Sequence, residues 1–253
     1  MTVTPQSRPA ILKMLHRRYE ARRTIHRRVP WLGFTLSVVN IVAIAFFVFD
    51  AALGQTARAL PPPLISIAGT ITDVGKLIWI LVATATVITT GLLLARRLSS
   101  LRQRFRIACL IQMASYAGLS VLVTSIAAHI LKFAIGRARP PLFDSEGILG
   151  FDPFNGDFLF LSFPSAHAAH IGALFTALAL LFPRFRLLFL GLGLWLGATR
   201  VIIGVHYPSD VAAGLALGVW ISFAVSILFA RFGLVFSIGR DGWPMPRLSS
   251  RII

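Results

Sequence analysis

Residues 107–140 read IACLIQMASYAGLSVLVTSIAAHILKFAIGRARP. The first part, 107–131, contains no Lys, Arg, Asp or Glu. It is long enough to cross a bilayer core, which takes about 20 helical residues. Outward from it, further apolar stretches occur at 31–49, 77–95, 165–182, 187–205 and 211–230. The predicted fold is therefore all-α, a polytopic membrane protein with six transmembrane helices in a bundle. A basic segment 1–30 precedes this single domain, 31–230, and a tail 231–253 follows it. Of 253 residues, 56% are apolar and 13% charged, where soluble chains carry about 25% charged, so an ordinary soluble domain is excluded.

The net charge of +16 would suit a nucleic-acid partner, but its distribution follows a membrane topology instead. Eight Lys or Arg precede Trp31, five lie at 96–106, Arg184 and Arg186 fill the next alternate link, and four follow Ala230. The opposite links hold Arg58, Lys76, Lys132, Arg137, Arg139 and Arg200 with Asp50, Asp73, Asp144, Glu146, Asp152, Asp157 and Asp210. Cation-rich links stay cytoplasmic, so both termini are expected inside and 132–140 outside. A cleavable signal peptide is the competing account of the first run, since Ala57, Arg58 and Ala59 have the small-x-small form of a cleavage site. Against it, the basic stretch before the run is about twice the usual length. Within that stretch Ile11, Leu12, Leu15 and Tyr19 share one helical face, with Arg17, Arg18, Arg22 and Arg23 largely elsewhere. This fits a helix on the inner leaflet, and a disordered basic anchor would have the same composition. Cys109 is alone, which excludes an intrachain disulfide. Pro61, Pro62 and Pro63 read as a stiff loop before the second run.

Three short segments at run ends carry the chemistry. In KFAIGRARP (132–140), Lys132 stands seven residues before Arg139 with Arg137 between them, and a proline pair stops the helix. Planar guanidiniums with a lysine point charge suit a phosphate; they also suit interfacial anchors at a helix end. In PSAH (164–167), Pro164 fits a first helical position, which would leave the N–H groups of Ser165 and Ala166, and the Ser165 hydroxyl, free to meet an anion. His167 on that turn could pass a proton to a departing oxygen; a helix cap with a structural histidine is the alternative. His170, one turn deeper, reads as a packing residue. In TRVIIGVHYPSD (199–210), Arg200 lies six residues before His206, and Asp210 four after it. Pro208 predicts a helix start with Asp210 in its first turn, where the carboxylate can hold one imidazole nitrogen and leave the other free to attack. A capping aspartate beside an incidental histidine is the alternative. The link 141–163 is rich in carboxylates and in Phe, including Phe143, Phe151, Phe154, Phe158 and Phe160. It reads as a solvated loop over a headgroup site whose phenylalanines dip into the outer leaflet, and its carboxylate spacing fits no calcium loop.

In this order, with 23 residues between the first two segments and 31 between the last two, the chain resembles the K-x6-R-P, P-S-G-H and S-R-x5-H-x3-D signature of the type 2 phosphatidic acid phosphatase (PAP2) superfamily. The six runs resemble its membrane lipid phosphatase branch. The resemblance implies hydrolysis of a phosphomonoester or diphosphate headgroup through a phosphohistidine, with no metal and no other cofactor. It implies phosphate binding by Lys132, Arg139, Arg200, Ser165 and Ala166, attack by His206 oriented by Asp210, and protonation of the leaving oxygen by His167. Two positions depart from the signature: Ala166 stands for glycine and Thr199 for serine. Thr199 keeps a hydroxyl, and the Ala166 methyl bears on headgroup fit rather than on chemistry. The expected substrate is a lipid A phosphate or undecaprenyl diphosphate, then phosphatidylglycerol phosphate or phosphatidic acid. The expected setting is a bacterial inner membrane with the site facing the periplasm. The partners expected are lipid substrate and bilayer, with neither nucleic acid nor an obligate protein partner. A lipid-phosphate transporter or flippase, or a lipid-to-lipid phosphotransferase, is the alternative on the same scaffold. Transport sites usually lie near the bilayer midplane in repeated halves, whereas these residues gather at run ends on one face.

Overall fold

The computed structural model describes residues 10–20, 30–56, 60–239 and 243–247. The candidate cleavage site at Ala57, Arg58 and Ala59 lies outside these residues, as do Arg22, Arg23 and the side chains of Ile11 and Leu15. Helix α1 (Ala10–Glu20) precedes α2 (Trp31–Ile44), which runs through a π-helical turn, Ala45–Phe49, into α3 (Asp50–Thr56). Next come α4 (Pro62–Thr72), a 3-10 turn at Asp73–Gly75, and α5 (Leu77–Arg97). The rest comprises α6 (Leu101–Ile135), a short α7 (Phe143–Glu146), α8 (Ala166–Leu181), α9 (Arg186–Ile202), α10 (Pro208–Arg231) and the hairpin β1 (Phe236–Ile238) and β2 (Pro244–Pro246).

Among the described residues, five helical stretches are long and apolar enough to cross a membrane: Trp31–Leu53, Pro62–Arg97, Leu101–Ile135, Pro183–Ile202 and Pro208–Arg231. The fourth expected crossing is different. Helix α8 is apolar but has only 16 residues, a rise of about 24 Å at 1.5 Å per residue, against a core of about 30 Å. Its ends have local causes: Ser165 caps one, and Pro183 follows directly on Phe182 at the other. Two links also differ from expectation. Pro61 precedes α4 while Pro62 and Pro63 open it, since a proline in the first turn gives up no helical hydrogen bond. The basic link shrinks to residues 98–100, because α6 already begins at Leu101 and carries Arg102, Arg104 and Arg106.

Helix α8 is the centre of the bundle, buried from Ala168 through Ala173 and again at Thr176 and Ala177. Its contact with α10 is backbone against backbone. A Cβ at Gly218 would stand 2.3 Å from the Ala169 carbonyl oxygen, and one at Gly214 would stand 2.4 Å from that of Ser165. In lipid, apolar side chains gain little by leaving hydrocarbon, so close approach through small residues supplies the association. The same approach sets the start of α8 beside the start of α10, where the Ser165 N–H donates to the Asp210 carbonyl at 3.0 Å. At the other end of α10 the hairpin turns back into the bundle. Val235 and Phe236 are fully buried, with the Phe236 ring edge-on to Tyr116 at 4.8 Å, and the Tyr116 hydroxyl donates to the Ser222 carbonyl at 3.0 Å. The outer faces of α2, α5 and α6 expose Leu36, Val39, Leu93, Ile126 and Ile130, as lipid-facing surfaces should. Tyr19 of α1 packs on Phe232, beyond α10, at 5.5 Å.

Candidate active site

Gly136 ends α6 in the left-handed conformation, φ 62°, and a Cβ there would fall 1.9 Å from the Asp152 carbonyl oxygen. Only glycine lets the 141–163 link fold back onto the chain at this point. The link is then stitched down: Ala138 N–H donates to Gly150 O at 2.8 Å, Arg139 N–H to Leu159 O at 2.8 Å and Ser162 N–H to Arg137 O at 3.0 Å. Lys132 and Arg139 are held over it. The Lys132 ammonium donates to Leu161 O at 2.6 Å, and Arg139 donates from Nε to Phe158 O at 3.0 Å and from Nη2 to Leu161 O at 3.2 Å. The Arg139 guanidinium also lies 3.9 Å above the Phe158 ring. Arg200, from the last turn of α9, comes within Coulombic reach of both Lys132 and Arg139, and its Nε is buried without an acceptor. Among the described residues no carboxylate forms a salt bridge with any of the three. Three converging cations without an ion-pair partner form a site for an anion.

His206 faces this cluster from the turn between α9 and α10. Tyr207 caps α10 and Pro208 opens it; Asp210 closes the box, its Oδ2 accepting the Tyr207 N–H at 3.0 Å. The same oxygen accepts the Ser162 hydroxyl at 2.5 Å and lies 3.4 Å from His206 Nδ1. With Nδ1 donating to the carboxylate, the Nε2 lone pair is the nucleophilic end. Burial pushes the His206 pKa down to about 3, with Asp210 opposing and Lys132 and Arg139 reinforcing the shift. The imidazole is therefore neutral across ordinary pH and keeps a lone pair on Nε2.

The start of α8 corrects one expectation. Pro164 is not the first helical residue: it follows a cis peptide bond from Phe163, Ser165 is the N-cap, and Ala166 is the first residue of the helix. The Ser165 N–H, expected to be free, is committed to Asp210 O, and its hydroxyl accepts the Ala168 N–H at 3.4 Å. That hydroxyl can still donate outward. Ala166 and His167 keep first-turn N–H groups with no acceptor inside the helix. His167 sits beside Arg200, with its Nε2 2.8 Å from the Thr72 carbonyl oxygen. His170 Nδ1 reaches Gly75 O at 3.4 Å, in keeping with a packing role.

Four further residues complete the site: Arg137, which the sequence showed only as one more cation between Lys132 and Arg139, and three to which it gave no part in the site. Arg137, 1% exposed, donates at 2.7 Å each to Asp210 Oδ1, Ser209 Oγ and Asp50 Oδ2. Asp50, Ser209 and Ser162 are fully buried with it. One signal was available for Asp50, a lone carboxylate closing an apolar run. Among the described residues no three His, Cys, Asp or Glu side chains gather as metal ligands.

A family model described as the PAP2 superfamily matches residues 112–233. The chain is 38% identical over 217 residues to a lipid A 1-phosphatase of Rhizobium johnstonii, covering 86% of this chain and 88% of that protein. To an undecaprenyl-diphosphatase of Sulfolobus acidocaldarius it is 32% identical over 107 residues, covering 42% of this chain and 50% of that one. The crystal structure of a transmembrane PAP2-type phosphatidylglycerolphosphate phosphatase from Bacillus subtilis superposes with a TM-score of 0.51 at 19% identity, over 78% of this chain and 94% of that chain.

Proposed function

The chain belongs to the PAP2 superfamily of phosphatases, and on that premise we propose that it removes a phosphate from a lipid headgroup at the outer face of a bacterial inner membrane, through a phosphohistidine on His206 and without a metal. The observation that carries the reading is the cluster of Lys132, Arg139 and Arg200, none of them in a salt bridge among the described residues, facing His206, which is buried and neutral with Nδ1 3.4 Å from Asp210. The phosphoryl oxygens lie among the three cations, the Ser165 hydroxyl and the first-turn N–H groups of Ala166 and His167. His206 Nε2 attacks phosphorus, and the bond from phosphorus to the lipid oxygen breaks. His167 enters this step as the imidazolium, with a proton on each ring nitrogen; the leaving oxygen takes the Nε2 proton in place of the Thr72 carbonyl, and the ring is left neutral. Water then attacks phosphorus, gives its proton to His167, and releases phosphate from His206.

Of the possible headgroups we favour a lipid A phosphate. The relatives matched over most of both chains are named for it, while the match to the undecaprenyl-diphosphatase is partial. Six crossings with both termini inside complete the proposed topology: α8 counts as the fourth, shielded by its neighbours, and charge bias sets the orientation. The test is inorganic phosphate release from detergent-solubilised lipid A, undecaprenyl diphosphate, phosphatidylglycerol phosphate and phosphatidic acid with EDTA present, comparing the wild type with His206→Ala. Release that resists EDTA, is lost in the variant and is fastest from lipid A is the expected result. Full release by His206→Ala would overturn the mechanism, and a different fastest lipid would overturn the substrate.

A further inference from the structure

We infer that Asp50 and Arg137 are positioning residues that set the charge felt by His206, which makes the first membrane helix part of the catalytic apparatus; the inference rests on His206 being the nucleophile. Arg137 binds the Asp210 oxygen that His206 does not face, so Oδ2 is left to Ser162, the Tyr207 N–H and His206. Its other terminal nitrogen is held by Asp50, which also accepts the Ser209 N–H at 3.0 Å and the Ser209 hydroxyl at 2.5 Å. The guanidinium is clamped between two rings, Phe46 at 4.8 Å and Tyr207 at 4.4 Å. Phe46 and Asp50 come from the same stretch of the first helix, and the intervening turn, Ala45–Phe49, is π-helical. Such turns are rare and concentrate at functional sites. An ordinary lipid-facing anchor has no reason to present a buried carboxylate and a ring to a loop arginine.

The charge count gives the arrangement its purpose. Arg137 with Asp210 alone is a neutral pair. With Asp50 held ionised by its bonds from Arg137 and Ser209, the group carries one net negative charge in a dry interior, where it offsets the Lys132 and Arg139 cations that also act on His206. As His206 bonds to phosphorus its ring becomes positive, and a fixed net negative charge beside it lowers the barrier without reorganisation. Arg137 thus aligns Asp210, and Asp50 restores the charge that Arg137 would cancel.

The experiment uses the full chain in detergent and measures kcat and KM for Asp50→Asn, Asp50→Glu, the pair Asp50→Asn with Arg137→Met, and His206→Ala. Asp50→Asn keeps shape and an acceptor for the Ser209 N–H but removes the charge, and its kcat should fall by about tenfold or more with KM within about twofold. Asp50→Glu keeps the charge and should stay nearer the wild type. The double variant returns the group to one net negative charge and should be faster than Asp50→Asn; replacing both members of a buried ion pair is tolerated by many folds, so it also serves if Asp50→Asn fails to fold. Unchanged kcat in Asp50→Asn would overturn the inference. So would equal losses in Asn and Glu, or a folded double variant with no turnover. Phosphate release by His206→Ala would instead overturn the mechanism beneath it, whereas an inactive His206→Ala beside a fully active Asp50→Asn rejects this inference alone.

Discussion

His206 couples activity and stability to pH in opposite ways. Its ordinary pKa of 6.5 falls to about 3 in the folded protein because burial penalises the cation. On the proposed mechanism the neutral imidazole persists well below pH 6.5, and its protonation does not switch off turnover there. Stability behaves otherwise: below 6.5 the unfolded chain takes up a proton that the folded site refuses, so this residue's contribution is destabilising on acidification, and the loss stops growing near pH 3. Between pH of about 7 and about 5, thermal unfolding in detergent should shift to lower temperature while the initial rate of the wild type shows no inflection at 6.5. An inflection at 6.5 that Asp210→Asn moves would show that the imidazole is solvated instead. That Lys132, Arg139, Arg200, His206 and Asp210 come together was legible in the sequence, because their segments end apolar runs on one face; each segment alone also fitted anchors or caps, and the roles came from the family resemblance. Asp50 and Arg137 were not, because their partnership joins the first helix to a loop far along the chain, and no local pattern encodes such a contact. The register at Pro164 was misread for a different reason: proline suits the first turn, but Ser165 could also cap, and the tertiary bond to Asp210 decides between them.

At the scale of elements, the site depends on how closely α8 approaches α10. Gly218→Val would drive a side chain into the Ala169 carbonyl, where even a Cβ stands at 2.3 Å, and overpacking of this kind costs about 1–3 kcal/mol. The variant should unfold at lower temperature and also lose phosphate release, since the start of α8 is carried away from Asp210. Gly33→Ala in α2, where nothing lies within 4 Å of the added methyl, is the control and should match the wild type in both assays. The apolar runs marked most helices well, since length and hydropathy are read directly. They missed α4, whose prolines look like a loop, and they gave α8 a helix's length without showing that its cap begins it one residue late.

For the whole molecule, the two ends of the bundle do different work. The candidate site lies where α6, α8, α9 and α10 meet the 141–163 link, while the opposite end is closed by the hairpin, with Phe236 buried against Tyr116 and Phe229. Phe236→Ala empties that end, and a buried phenylalanine truncated to alanine costs about 3–5 kcal/mol. Thermal stability should fall by that order, while kcat and KM below the melting range stay at wild-type values. A change in KM would mean that the two ends are coupled. The buried guanidinium of Arg137 has a consequence of another kind. The stretch matched by the family, 112–233, contains Arg137 and Asp210 but not Asp50. Neutralising Asp50 by drift leaves an arginine that mutes its own aspartate, and losing Arg137 first leaves two carboxylates facing each other in a dry interior. Either step is costly alone, so the two positions are expected to change together in descent, and the first helix is inherited with the catalytic core rather than exchanged as a generic anchor.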